Sequence, residues 1–128
     1  MSGLQAVLPR SPEAPARARA WVLEHGATLN AQQRQDAALL VSELVTNAVV
    51  HGIGTISFRI DVDAGGIRVE VADEGDVTVA PTPTPGAHGG WGLRLVDTIA
   101  DEWGVLEGST RVWFRLHHQP SDAGPATT

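Results

Sequence analysis

Three short stretches of this sequence carry side chains and glycines in patterns that can do chemistry. The first is Glu43-Leu44-Val45-Thr46-Asn47, followed by His51 and Gly52. Side chains four residues apart are neighbours on a helix, so Glu43, Asn47 and His51 fall on one stripe, where a carboxylate and an amide can face one ligand. The same spacing also suits a solvated helix face. The second stretch, Val69-Glu70-Val71-Ala72-Asp73-Glu74-Gly75, places an acid at the end of a strand beside a glycine. A carboxylate there can accept a hydrogen bond from an exocyclic amine such as that of adenine, and glycine lets a ring come close to the backbone. An aspartate in an ordinary turn reads the same way. The third, Gly89-Gly90-Trp91-Gly92-Leu93-Arg94-Leu95-Val96-Asp97, runs glycines straight into an apolar-periodic segment. Unpaired amides at a helix N-terminus, backed by the macrodipole, bind anions, so this stretch reads as a phosphate cradle without lysine, or else as a plain glycine linker. It lacks the Gly-Lys-Ser/Thr of a P-loop, and no strand feeds directly into it as a dinucleotide fingerprint requires.

Such residues need elements to hold them. Leu4 to Leu8 form a short apolar run that reads as an edge strand, and Ser11-Pro12-Glu13 reads as an N-cap with proline in the first turn of a helix reaching about His25. Gly26 ends that helix. Asn30 then caps a longer one, carrying Leu39, Leu40, Val41, Leu44, Val45, Ala48 and Val49 and stopping at Gly52. Ile56, Phe58, Ile60 and Val62 alternate with polar residues, as do Ile67, Val69 and Val71; with Ala64-Gly65-Gly66 between them they predict an antiparallel hairpin. From Asp73 to Gly90 there are Pro81, Pro83 and Pro85, four glycines and little periodicity, the composition of a long loop or lid. Leu93, Val96, Ile99 and Ala100 have helical spacing, and Val105 and the segment Val112, Phe114, Leu116 predict two closing strands. The tail from about Gln119 is expected to add nothing to the core.

The 128 residues suit one domain, expected to span 1–128 with its core over about 12–117, and 42% hydrophobic against 19% charged residues is the composition of a folded globule. Fifteen acids face nine arginines for a net charge of -6, with no basic run, which argues against a nucleic-acid partner. Absence of cysteine excludes disulfides, thiol nucleophiles and zinc-thiolate sites. No run approaches the roughly 20 apolar residues of a membrane span and no leader pattern opens the chain, so a cytoplasmic protein without membrane contact is expected.

In their order, the Glu/Asn helix, the hairpin, Asp-x-Gly, the long segment, the Gly-x-Gly helix and the closing strands resemble the superfamily of gyrase, heat-shock chaperone, histidine kinase and mismatch-repair ATPases. Glu43 to Asn47 match its N box, Asp73 to Gly75 its first glycine box and Gly90 to Gly92 its second, while Gly108-Ser109-Thr110 is similar to its last box. Leu40 to Gly52 and the ending Trp113-Phe114 look most like anti-sigma-factor serine kinases and the small ATP-binding regulators related to them. The resemblance implies an α/β two-layer sandwich of the Bergerat type, with a mixed, mainly antiparallel sheet covered on one face by three helices. It implies ATP and Mg²⁺ as cofactors, Asn47 as the metal ligand and Glu43 as the group that polarises an attacking hydroxyl or water. Asp73 would read adenine, with Gly75, Gly90, Gly92, Leu93 and Thr110 lining the nucleotide. A sigma factor and an anti-sigma-factor antagonist are the implied partners, and a homodimer is left open. Two departures stand out: Asp76-Val77 replaces the usual second glycine of the first box, and His88 stands where the kinases carry a basic residue that can touch the γ-phosphate. Between Asp73 and Gly90 there is no Arg or Lys, which leaves a non-catalytic, protein-binding regulator as the alternative to a kinase. His51 reads as a helix-end residue or a partner of the site, and Trp21, Trp91, Trp103 and Trp113 as packing.

Overall fold

A computed structural model of the chain describes residues 2–26, 29–75, 94–106 and 110–117. The expectations placed on the lid beyond Gly75, on Gly90, Gly92 and Leu93, on His88 and Trp91, on Gly108 and Ser109 and on the tail lie outside these described residues. The elements follow in the order β1 Ser2–Leu8, α1 Ala14–His25, α2 Ala31–His51, β2 Ile56–Asp63, β3 Gly66–Ala72, α3 Arg94–Ile99, β4 Glu102–Val105 and β5 Val112–His117. The strands form one five-stranded sheet, β1-β2-β3-β5-β4. Every pairing among the described residues is antiparallel, so the mainly antiparallel sheet expected from the sequence is antiparallel throughout.

The period-2 pattern decides which face of this sheet is covered. Phe58, Ile60 and Val62 of β2 sit opposite Val71, Val69 and Ile67 of β3, which in turn oppose Val112, Phe114 and Leu116 of β5. On the other side of β2, Leu8 and Leu4 of β1 oppose Ile56 and Ile60. These side chains join one core with Ala14, Ala18 and Val22 of α1, Leu40, Val41, Leu44, Val45 and Ala48 of α2, and Val96 of α3. Trp21 stacks on Phe58 with ring centroids 5.6 Å apart, and the Trp103 indole donates to Asp97 at 3.0 Å. The opposite face of the sheet carries charged side chains: the Arg68 guanidinium lies 4.8 Å over Trp113 and pairs with Glu70, which also accepts from Arg111. No helix among the described residues is long and apolar enough to cross a membrane.

Both ends of α2 follow from the sequence. Gln33 N–H donates to the Asn30 side chain at 2.8 Å and the Gln33 side chain accepts from Asn30 N–H at 3.5 Å, a reciprocal capping box. Gln33 also donates to the His117 carbonyl, tying the start of α2 to the end of β5. Asn30→Ala is therefore expected to cost about 1 kcal/mol of stability, as N-cap truncations do; an unchanged urea midpoint would count against this account. The start of α1 differs from expectation. Ser11 is not its cap: Ala14 N–H donates to the Ser11 carbonyl at 3.1 Å, and the helix begins at Ala14 after Glu13 (φ -83, ψ -12). Ser11-Pro12-Glu13-Ala14 is thus a turn with proline at its second position, where a fixed φ suits it. Pro12 belongs to the turn before the helix, and Pro15 occupies the first turn within it.

Candidate functional site

The centre of the site is the corner that follows β3. One oxygen of Asp73, Oδ1, accepts from Gly75 N–H, closing a tight aspartate turn. The Asp73 backbone N–H donates to Thr110 Oγ1 at 3.3 Å, and the Asp73 carbonyl accepts from the same hydroxyl at 3.3 Å. Thr110 is 4% exposed, so this latch joins the end of β3 to the start of β5 beneath the surface. The second carboxylate oxygen, Oδ2, is buried and has no hydrogen-bond partner among the described residues. Leaving a buried polar acceptor unsatisfied costs about 1–3 kcal/mol and more for a charged one, so this oxygen is a ready acceptor for an N–H or O–H donor.

Against that oxygen stands Gly52, which follows the last residue of α2. Its backbone is extended (φ -88, ψ -176), a conformation open to any residue, and its N–H donates to the Ala48 carbonyl at 2.9 Å. A Cβ at this position would lie 2.5 Å from the Ala48 carbonyl oxygen and 2.6 Å from Asp73 Oδ2. Close approach, not backbone freedom, requires glycine here. Glycine as the stop signal of α2 is legible in sequence; its contact with Asp73 is not.

Asn47 and Glu43 lie further back along the same helix. Asn47 is 8% exposed at the flank of the buried stripe, and Glu43, one turn earlier, is half-buried. At 1.5 Å of rise per residue, Asn47 lies about 7 Å and Glu43 about 14 Å along the axis from Gly52. An elongated ligand that puts its amine at Asp73 can therefore run its other end along α2 towards the amide and the carboxylate. No group of three or more His, Cys, Asp or Glu among the described residues could hold a metal ion. A cation near Asn47 would take its remaining ligands from the bound molecule and water, the habit of Mg²⁺ with phosphates. His51 is exposed as the last residue of α2.

The structure thus gathers Asp73, Gly75 and Thr110 at one corner, beside the helix that carries Asn47 and Glu43. Gly90, Gly92 and Leu93 are outside the described residues. Two residues missed by the sequence reading also belong to the corner. Glu74 Oε2 accepts from Thr55 N–H at 2.9 Å and from the Thr55 hydroxyl, and Glu74 N–H donates to the Ile53 carbonyl at 2.8 Å. The hydroxyl and backbone bonds from Thr55 hold the Glu74 carboxyl below its ordinary value of 4.5. A lowered folded-state value means that these bonds favour the fold above the ordinary pKa and are lost as pH falls through the folded one. They are fully made at neutral pH.

Residues 8–116 match the family described as the histidine kinase-like ATPase domain. Among solved structures, the chain is similar to the RsbU and RsbW domains of a Mycobacterium tuberculosis protein, with a TM-score of 0.68 and 24% identity. The match covers 93% of this chain and 32% of that one, so this chain spans about a third of its length. At this identity the likeness shows a shared fold. No curated protein sequence matches significantly.

Proposed function

This chain belongs to the histidine kinase-like ATPase family, and we propose that it binds Mg-ATP at the Asp73 corner and along α2, as a regulator of the anti-sigma-factor kinase type. The observation that carries the nucleotide is the buried, unpartnered Asp73 Oδ2. The adenine amine supplies the donor that this oxygen lacks, Gly75 leaves room for the ring, and Thr110 holds the Asp73 backbone from behind. The Asn47 amide oxygen would ligate Mg²⁺, which when bound neutralises phosphate charge during transfer. Glu43, one turn further from the adenine end, orients the attacking hydroxyl and takes up its hydrogen bond. Gly90, Gly92 and Leu93, by resemblance, offer backbone amides to the phosphates.

The sequence resemblance to anti-sigma-factor serine kinases supports the regulatory half, with a sigma factor as the bound partner and an antagonist protein as the phosphoryl acceptor in the cytoplasm. One observation favours a second reading, a non-catalytic regulator on the same fold: no Arg or Lys lies between Asp73 and Gly90 to meet a γ-phosphate.

Calorimetric titration of Mg-ATP into wild type and Asp73→Asn tests the nucleotide site. The variant is expected to bind about tenfold or more weakly, since a hydrogen bond to a charged group is worth about 1.5–3 kcal/mol. Equal affinity would remove Asp73 from the site.

A further inference from the structure

We propose that Glu74 and Thr55 form a clasp that aims the free oxygen of Asp73, making them positioning residues for selection of a purine with an exocyclic amine at C6. The inference rests on Asp73 as the base-reading group.

Three hydrogen bonds join the loop after α2 to the corner after β3. Glu74 N–H donates to the Ile53 carbonyl at 2.8 Å, and Thr55 donates to Glu74 Oε2 from its N–H at 2.9 Å and from its hydroxyl. The loop is shaped to receive the Glu74 side chain. Gly54 has φ +72, where side chains are strained, and a Cβ there would lie 2.6 Å from the Glu74 carboxyl carbon and 3.0 Å from its Cβ. The tips of both segments also lie close together, for a Cβ on Gly75 would meet Ile53 Cδ1 at 3.6 Å.

These contacts bear on Asp73 through its neighbours. Its Oδ1 is engaged by Gly75 N–H, so the plane of the carboxylate follows the turn 73–75. That turn is held from one side by Thr110 on the Asp73 backbone and from the other by the clasp on Glu74. With both supports in place, Oδ2 has one direction; without the clasp, the turn is free to rock about the Thr110 latch. Thr55 and Glu74 are both exposed. Hydrogen bonds so open to water add little to global stability, so their effect should appear in recognition.

In one binding pose, a carboxylate oxygen accepts from the 6-amine of adenine and repels the 6-carbonyl of hypoxanthine. The ratio of ATP to ITP affinity therefore reports how well Oδ2 is aimed. Calorimetry with both nucleotides and magnesium on wild type, Asp73→Asn, Glu74→Ala, Thr55→Val and Thr55→Ser separates the possibilities. Wild type should prefer ATP, and Asp73→Asn should abolish the preference. Glu74→Ala should lower the ratio by about tenfold and Thr55→Val by about threefold, as expected when a polar selector loses its preorganisation. Thr55→Ser, which keeps both donors, should retain the wild-type ratio, with melting temperatures close to wild type throughout. A ratio unchanged in Glu74→Ala and Thr55→Val, while Asp73→Asn abolishes it, would overturn the clasp and leave Asp73 as the base reader. Equal weakening of ATP and ITP with a lowered melting temperature would make the clasp merely structural and likewise overturn it. A wild type without preference for ATP, or an Asp73→Asn variant that keeps it, would overturn the base-reading role and the clasp together.

Discussion

Replacing Glu43 by alanine is expected to leave ATP affinity within about threefold of wild type while lowering phosphoryl transfer to a protein hydroxyl by about 10²–10⁴, the range for losing a positioned acid or base. Glu43 lies two turns back from the end of α2, so it is remote from the adenine corner and one turn from Asn47. In the proposed role its carboxylate would meet the attacking hydroxyl, an interaction that would strengthen as the hydroxyl gives up its proton. It therefore acts on the barrier more than on ground-state binding. Alanine keeps the helix, since it is the best helix former and Glu43 is not part of the buried stripe. Single-turnover transfer from labelled ATP to the antagonist, with calorimetry on the same variant, reads both quantities. Loss of affinity with unaltered transfer would reassign Glu43 to holding the nucleotide. A wild type that binds ATP but transfers nothing, indistinguishable from Glu43→Ala, would establish the non-catalytic reading favoured by the Arg- and Lys-free segment between Asp73 and Gly90.

The parts of this molecule that were legible in its sequence are those determined by residues close together along the chain. Asn30 and Gln33, three apart, specify the start of α2, and the stripe through Leu40, Leu44 and Ala48 specifies its buried side. Alternation through Ile56, Phe58 and Ile60, with the turn at Ala64-Gly65, specifies the hairpin and which face carries the core. With the hairpin and α2 in place, Asp73 emerges against Gly52 at the end of that helix. What stayed hidden depends on contacts between distant segments. Thr55 and Glu74 are nineteen residues apart and meet because the register pairs Ser57 with Ala72. Neither side chain announces that pairing, since an exposed threonine and an exposed glutamate are ordinary surface residues. The turn at Ser11 was missed for a different reason: serine followed by proline opens a helix or a turn with equal local sense, and the choice falls to how α1 must enter to bury Ala14 and Ala18.

Gly52→Ala is expected to harm nucleotide binding more than Asp73→Asn does, by about 100-fold, because it adds the strain of overpacking to loss of the base contact. The backbone at Gly52 accepts alanine without strain (φ -88), so any defect must come from the added methyl group. That group has nowhere to go: 2.5 Å from the Ala48 carbonyl oxygen on one side, 2.6 Å from Asp73 Oδ2 and 2.8 Å from Asp73 Cγ on the other. Moving away from Ala48 breaks the bond that closes α2, at 2.9 Å from Gly52 N–H to the Ala48 carbonyl. Moving Asp73 instead swings its carboxylate out of the turn with Gly75, and the oxygen that awaits a donor points elsewhere. The carboxylate is a side chain and the carbonyl is helix backbone, so Asp73 yields first. Unfolding in urea should show a loss of about 1–3 kcal/mol, the usual cost of forcing atoms into a packed site. Because both substitutions act through one oxygen, the double variant Gly52→Ala/Asp73→Asn should bind ATP little worse than Gly52→Ala alone, a strongly non-additive cycle. Additive losses would mean that Gly52 serves the end of α2 and not the base-reading carboxylate, and wild-type affinity in Gly52→Ala would remove this corner from the nucleotide site altogether.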